Sequence, residues 1–299
     1  MKKIHIICLA DSNLCDLAIL LKNKGCDVTI SYCNLSTDDL TKLISNGLIN
    51  NPEGWHPNLL STECEYIIAS SDIAFDNPEV VKAKELNINI LSFAEYIFKK
   101  IKDKLRVIVK EPTSESSIID IIFYVLKKNN MLFDYVVNNN HEIFNKEQSY
   151  SVNWSYDTRM AVLENNPKYS NIIKKPLNEY YRPHILVLSE IKDGESDSFK
   201  KLLSSIEKNG KLIYNENDKI LSEFAESVRE DITAIPFNQH SYIEEGNEIS
   251  LKTRFGDFPI KNTSEEFLIN LNAARITCRH MGIKDQDFYQ AISEYSGKQ

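Results

Sequence analysis

The sequence lacks three features that mark well-known protein classes. No apolar run approaches the roughly 20 residues that a membrane-spanning helix needs. No small-residue cleavage site follows the short apolar start MKKIHIICLA, which Asp11 interrupts. The six cysteines show no C-x-x-C spacing, which argues against the common zinc and redox motifs. A cytoplasmic protein with free thiols and no membrane partner is therefore expected.

An excess of positive charge is also missing. The chain has 43 acidic and 35 basic residues, which gives a net charge of −8. Because nucleic-acid binding calls for a basic face, no nucleic-acid partner is expected. The 299 residues, of which 42% are hydrophobic, are enough for two domains with separate cores.

Strand and helix signals alternate through the first hundred residues. Strands are predicted at residues 4–9, 27–32, 65–69 and 88–92, and helices at 13–24, 77–86 and 93–100. This order is typical of a parallel sheet in a Rossmann-like domain, placed at residues 1–104. The charged stretch 99–104 is interpreted as the joint between two domains.

A second α/β pattern is predicted over residues 105–299. It begins with a strand at 106–109, a polar loop and a helix that ends at 128, the arrangement in which nucleotide-binding folds carry their phosphate loop. Further strands are predicted at 160–163, 185–188 and 211–214, followed by a hairpin-rich stretch at 232–259 and a closing helix at 266–281.

Four segments carry a resemblance to a known family. They are PEGWHPNLL (52–60), DNPEVVKAKELNINILSFAEYIF (76–98), EYYRPHILVLSEI (179–191) and FLINLNAARITCRHMGIKDQDFYQAI (267–292). In their order and spacing the chain resembles the Mur ligases of peptidoglycan biosynthesis, especially those that reattach murein tripeptide to UDP-N-acetylmuramate. The resemblance implies an N-terminal Rossmann-like UDP-sugar domain followed by a P-loop-like central domain for ATP and magnesium. The family's third, C-terminal domain is expected to be missing from this sequence, either because the protein lacks it or because it has been removed.

The phosphate loop implied by the resemblance is altered. Family members carry a run similar to G-T-H-G-K-T-T, and the matching run here extends from Glu111 to Ser117. Both glycines are absent, and Glu115 stands at the lysine position, where its charge would repel a triphosphate. Under the alternative interpretation, Ser114 and Ser116 cap a core helix whose first turn favours acids.

Two further parts of the implied ATP site differ from the family pattern. Glu164 keeps the acid expected at the end of a central strand, and Glu195 stands where a histidine is expected. Both remain candidate ligands for a hard cation such as magnesium, with a solvated acidic edge as the alternative. The motif similar to G-x-H-N-x-x-N retains only Asn270, because Glu266 and Phe267 replace its histidine and first asparagine.

The implied UDP-sugar site is partly retained. Its candidate residues are Ser12, Asn13, Ser70, Ser71 and Asn77. A family member has a glycine-rich turn after the first strand, whereas this chain has Asp11, which would repel a diphosphate. The alternative for the later residues is a strand end and a helix cap.

These departures predict a Mur ligase homologue without catalytic residues, with no expected cofactor and with a binding or scaffolding role. Its partner would be a UDP-N-acetylmuramyl species or a protein of the cell-wall pathway. Two alternatives stay open. One is a working ligase that uses ATP and magnesium at an atypical site, and the other is a sensor that keeps only the muramyl-nucleotide site.

Overall fold

The computed structural model describes residues 2–111, 117–137, 150–166, 168–171, 174–176, 178–191, 196–245 and 248–295. The helices among them are α1 (Ser12–Asn23), α2 (Thr37–Ser45), α3 (Pro78–Glu85), α4 (Phe93–Ile101), α5 (Ile118–Lys128), α6 (Ser196–Ser204), α7 (Lys219–Glu226), α8 (Glu265–His280) and α9 (Asp285–Ser293). The early strands are β1 (Lys3–Leu9), β2 (Asp27–Cys33), β3 (Cys64–Ala69), β4 (Asn89–Ser92), β5 (Leu105–Lys110), β6 (Asp134–Val136), β7 (Val152–Asn153) and β8 (Met160–Glu164). The later strands are β9 (Tyr169–Ser170), β10 (Lys175–Pro176), β11 (Ile185–Leu188), β12 (Lys211–Asn215), β13 (Thr233–Phe237), β14 (Tyr242–Glu245), β15 (Glu248–Thr253) and β16 (Gly256–Pro259).

The first sheet contains four parallel strands in the order β2-β1-β3-β4. Residues 4–8 of β1 are all buried, as expected when packed elements cover both faces of a parallel sheet. The predicted strands and helices of this half are confirmed to within one residue at each end. Helix α2 was not predicted, because Leu40, Leu43 and Ile44 are its only apolar residues.

The second sheet contains seven strands in the order β13-β12-β11-β5-β8-β6-β7. All neighbouring pairs are parallel except β6 and β7. The strands predicted at 106–109, 160–163, 185–188 and 211–214 are confirmed, as is the helix that ends at 128. An α/β protein with a Rossmann-like sheet followed by a P-loop-like α/β unit is therefore present.

Two predictions for the end of the chain are confirmed in part, because β14 to β16 form hairpins within 232–259 and α8 matches the helix predicted at 266–281 to within one residue at each end. The stretch 232–259 is not all hairpin, because β13 joins the main sheet parallel to β12, and only β14 to β16 form a separate antiparallel sheet. Pro236 lies in β13, which is tolerated because that strand is at the sheet edge. Helix α8 does not close the fold either, since α9 follows the turn at Gly282, where φ is +100°.

The two sheets share buried packing. One hydrophobic cluster includes Ile4 and Leu14 from the first half and Leu163 and Leu188 from the second. The stretch 99–104, predicted as a joint, is built into the fold, because α4 extends to residue 101 and the Lys104 ammonium donates to Asp134 at 2.5 Å. The division into domains at residue 104 stays a prediction. No helix in the described part of the chain combines the length and apolar character needed to cross a membrane.

Candidate functional site

The carboxyl ends of three neighbouring strands place several predicted residues at one edge of the second sheet. Val109 of β5 pairs with Glu164 of β8, and Leu188 of β11 pairs with Lys110. The chain leads from β5 towards β8 and β6 on one side, and later to β11 and β12 on the other. Ligands of open parallel sheets bind at such a switch point, outside the carboxyl ends of the strands.

Glu111 directly follows β5 and occupies the amino end of α5 with its carboxylate. This carboxylate accepts hydrogen bonds from the Ser117 hydroxyl at 2.5 Å, from the Ile118 amide and from the Ile119 amide at 3.3 Å. Ser117 also caps the helix by accepting from the Asp120 amide. The first amides of a helix are the groups that hold a phosphate in nucleotide-binding folds. Here a carboxylate of the chain itself takes that position.

Several predicted residues lie outside the described residues. These are Ser114, Glu115 and Ser116 of the altered loop, and Glu195 of the proposed metal pair. Glu164 lies at the end of β8 and is partly exposed. Within the described ranges, no three His, Cys, Asp or Glu side chains are grouped so that they could hold a metal ion. The pairing of Glu164 with Glu195 at a cation stays a prediction.

A cleft of about 420 Å³ adjoins this edge of the sheet. It is lined by Ser189, Glu190, Asn215, Glu265, Glu266, Ile269 and Asn270. Glu266 is exposed and Asn270 is buried, and the fold brings both to the same cleft as Glu190. The three glutamates give the cleft an acidic character that disfavours an uncompensated triphosphate.

Sequence reasoning missed some of this cleft. Glu190, Asn215 and Glu265 were not candidates, because none of them matches a family motif position that carries chemistry. Glu190 and Asn215 do stand at the ends of buried strands, which meet at one edge in a parallel sheet. That rule could have found them, whereas the packing of α8 beside the edge was not readable from the sequence.

The predicted UDP-sugar residues also meet at a switch point, between β1 and β3 of the first sheet. Ser12 and Asn13 open α1 just after β1, and Ser70 and Ser71 follow β3, which pairs with β1. The Ser70 hydroxyl accepts from the Leu9 amide at 2.8 Å and so joins the two strand ends. The five candidates do not have equal access to a ligand, because Ser70 and Ser71 are almost fully buried.

The turn after β1 is formed without glycine. Ala10 has a φ of 45°, in the left-handed region that glycine adopts most readily. Asp11 caps α1 by accepting from the Leu14 amide at 3.1 Å, and burial raises the pKa of its carboxyl. Ser12 donates to Asp39 at 2.7 Å. The first turn of α1 is therefore already supplied with a carboxylate.

Asn77 has the role of a helix cap. Its side chain accepts from the amides of Glu79 and Val80 at the start of α3. Beyond the end of β3, the Asn171 amide donates to the Ser71 carbonyl at 2.9 Å, and Lys168 forms an ion pair with Asp72 at 2.8 Å. Residues 168–171 of the second half thus contact the loop that follows β3.

Comparisons with known proteins agree with this architecture. No protein-family model matches the chain. It is 27% identical to the UDP-N-acetylmuramate--L-alanine ligase of Caldicellulosiruptor bescii, over 99% of this chain and 67% of that protein. It is 22% identical to the corresponding ligase of Carboxydothermus hydrogenoformans, over 99% of this chain and 66% of that protein. The chain thus spans about two thirds of the length of these curated relatives.

Solved structures show the same fold. The UDP-N-acetylmuramate:L-alanyl-gamma-D-glutamyl-meso-diaminopimelate ligase from Neisseria meningitides superposes with a TM-score of 0.78 at 15% identity, over 100% of this chain and 99% of that chain. The UDP-N-acetylmuramate-alanine ligase from Thermotoga maritima gives a TM-score of 0.66 at 14% identity, over 99% of this chain and 69% of that chain. The chain is therefore similar to Mur ligases along nearly its whole length and shares with them the order of two α/β units.

Proposed function

We propose that this protein is a Mur ligase homologue of the peptidoglycan pathway that has no ligase activity and acts by binding a partner. The observation that carries the proposal is the position of Glu111 at the amino end of α5. Charge-assisted hydrogen bonds of this kind contribute about 1.5–3 kcal/mol each. A triphosphate would have to displace the carboxylate from these donors.

Displacing the Glu111 carboxylate would not by itself remove its repulsion of a triphosphate. Glu111 is only six residues from Ser117, so its carboxylate competes for the donors at a high effective concentration. Once displaced, its charge would still lie close to the incoming phosphates. The glutamates of the acidic cleft and the sequence change at Glu115 act in the same direction.

The first test is a thermal-shift titration with magnesium-ATP, in which the Caldicellulosiruptor bescii ligase serves as the positive control. A ligand at 100 times its Kd stabilises a fold by about 2.7 kcal/mol. We expect no rise in the Tm from ATP binding at the start of α5. We also expect no phosphate release when UDP-N-acetylmuramate and L-alanine are added. Phosphate release, or a rise with ATP that comes from binding at the start of α5, would support the working ligase instead.

A second candidate function, retention of the muramyl-nucleotide site, is favoured by the grouping of Ser12, Asn13, Ser70 and Ser71 at the β1–β3 switch point. The same titration with UDP-N-acetylmuramate tests it. Asn13→Ala is the informative variant, because Ser71 is buried and Asn77 caps a helix, so changes there would also disturb folding. Asn23→Ala, at the exposed opposite end of α1, is the matched control.

If the site is retained, the wild type and Asn23→Ala are stabilised by UDP-N-acetylmuramate and Asn13→Ala is stabilised much less. If none of the three responds, the nucleotide is not the partner, and a protein of the cell-wall pathway is the proposed partner that is left. If all three respond equally, the nucleotide binds elsewhere and the switch-point assignment is wrong.

A further inference from the structure

A second cleft, of about 450 Å³, lies along the other end of α8, where the helix faces α9 and the β14–β16 sheet. Its charged lining residues are Lys252, Arg254, Arg275, Arg279 and Asp285. Four cations therefore face one carboxylate, an excess of three positive charges in a protein whose net charge is −8. The cleft is electrostatically opposite to the acidic cleft at the start of the same helix.

The single carboxylate does not neutralise the cations. One oxygen of Asp285 lies 3.4 Å from Arg275, 3.9 Å from Arg279 and 4.0 Å from Arg254. Arg275 and Arg279 are also four residues apart on α8, a spacing at which like charges repel. Lys252 is exposed and has no carboxylate partner among the described residues. An anion in the cleft would relieve this repulsion.

Arg275 is held in place for such a contact. Its guanidinium donates twice to the Asn272 side-chain oxygen, at 3.2 and 3.0 Å, and Asn272 in turn donates to the Asn238 carbonyl at 2.9 Å. With the contact to Asp285, these bonds use three of its five N–H donors within the described part of the chain. Because the side chain is 17% exposed, the remaining donors can be reached from the cleft.

Uncharged groups complete the wall. The buried His240 donates through Nδ1 to the Ser241 carbonyl at 2.8 Å and accepts at Nε2 from the Tyr289 hydroxyl at 2.8 Å, an arrangement that fits the neutral ring. Burial lowers the pKa of His240, in agreement with that assignment. Phe255 lies at the rim, 40% exposed, with Arg254 stacked on its ring at 4.7 Å.

We propose that this cleft binds the phosphoryl group of an organic phosphate, held by Arg275, Arg279 and Lys252. A phosphate monoester carries a charge of about −1.5 to −2 near neutral pH, which matches the excess of positive charge better than a single carboxylate does. Arginine donors suit the several oxygens of a phosphoryl group. Ligand sites commonly occupy about 300–1,000 Å³, so this cleft has room for the group to which the phosphate is attached.

The test uses pyrophosphate as the probe, titrated at constant ionic strength and followed by calorimetry and by the Tm. The double variant Lys252→Gln/Arg279→Gln removes two exposed cations of the cleft. The matched control is Lys201→Gln/Lys208→Gln, which removes two exposed cations elsewhere. We expect the cleft variant to lose about tenfold or more in affinity, equivalent to 1.4 kcal/mol or more, while the control behaves as the wild type. No binding by the wild type, or an equal loss in both variants, would overturn the proposal.

Two further probes concern the attached group. Uridine 5′-monophosphate carries a planar ring that could contact Phe255, and glucose 1-phosphate carries a sugar. Tighter binding of either probe than of inorganic phosphate supports an organic phosphate. If neither exceeds inorganic phosphate, the cleft does not recognise the attached group and that part of the proposal fails.

The cleft variant also separates this inference from the proposed function. Any magnesium-ATP stabilisation that Lys252→Gln/Arg279→Gln removes belongs to the basic cleft. Stabilisation that the variant keeps belongs to another site and contradicts the proposed loss of ATP binding, whatever the result with pyrophosphate.

Discussion

Arg106, in β5, connects parts of the chain that are distant in sequence. Its buried guanidinium donates to the carbonyls of Lys102, Lys104, Tyr181 and Arg182, and to the Glu207 carboxylate at 3.0 Å. A lysine would keep the positive charge, but its single ammonium could not reach this set of acceptors. The geometry of the Arg106 donors is therefore expected to contribute more to the stability of the fold than the positive charge does.

We predict that Arg106→Lys lowers the free energy of unfolding by about 3 kcal/mol, because buried acceptors lose their donors. Arg182→Lys is the matched control, since Arg182 contacts the same Glu207 carboxylate but is 58% exposed. Its cost should stay below about 1 kcal/mol. Urea denaturation of both variants measures the difference. An equal loss in the free energy of unfolding would mean that the donor geometry of the buried Arg106 guanidinium does not contribute to stability.

The Glu111 carboxylate accepts hydrogen bonds from the first amides of helix α5. Removing it tests whether this carboxylate takes the place that a phosphate has in nucleotide-binding folds. Glu111→Ala removes an acceptor from the Ile118 and Ile119 amides and should lower the free energy of unfolding by about 1–2 kcal/mol. Sulfate should then stabilise the variant more than it stabilises the wild type, because the vacated amides can accept an external anion.

The control for this helix is Glu190→Ala, which removes a carboxylate from the same sheet edge but not from α5. It should show the wild-type response to sulfate. Anion binding in the basic cleft contributes equally to all three proteins and cancels in the comparison. If sulfate stabilises Glu111→Ala no more than the wild type, the start of α5 is not an anion site.

Most elements of the fold were predictable because their signals are local. Strand β11 is a continuous apolar run, β1 is one apart from Lys3 and His5, and Asn77-Pro78 marks the start of α3 by cap chemistry. The misses depend on tertiary context. Strand β13 carries a proline that only an edge position allows. Helix α2 has few apolar residues and is held by its packing against α1.

The candidate site was predictable only in part. Family resemblance drew attention to Glu111, but its bonds to residues six to eight positions later depend on the backbone path and are not encoded in any motif. The basic cleft was not predicted at all. Its cations are spread over residues 252 to 279, in a hairpin and a helix, and they come together only when α9 packs against both α8 and the small sheet.

Although the net charge of the molecule is negative, acidic and basic side chains gather in two separate clefts at opposite ends of α8. Acidic groups gather at the start of α8 and basic groups along its last two turns. This arrangement follows the helix dipole, because carboxylates are stabilised at the amino end of a helix and cations at the carboxyl end. One helix thus separates the region where the family resemblance implies ATP from the proposed phosphoryl site.

The histidines give the whole fold an expected dependence on pH. Burial lowers the pKa of His184, His240 and His280 below their ordinary value of 6.5. As the pH falls through 6.5 and towards the folded-state values, these three histidines bind more protons in the unfolded chain than in the folded one, so their contribution to the free energy of unfolding decreases. The stability that these three histidines contribute is fully present above pH 6.5 and is lost on acidification, before most carboxylates titrate.

We therefore predict a lower urea midpoint at pH 5.5 than at pH 7.5, measured at constant ionic strength. His280→Gln should reduce this difference without breaking a hydrogen bond, because Nε2 of His280 is buried without a partner among the described residues. His240→Gln should reduce it as well, at the cost of the bond to Tyr289. A midpoint that rises on acidification, or the same pH dependence in both variants as in the wild type, would show that other groups control the response.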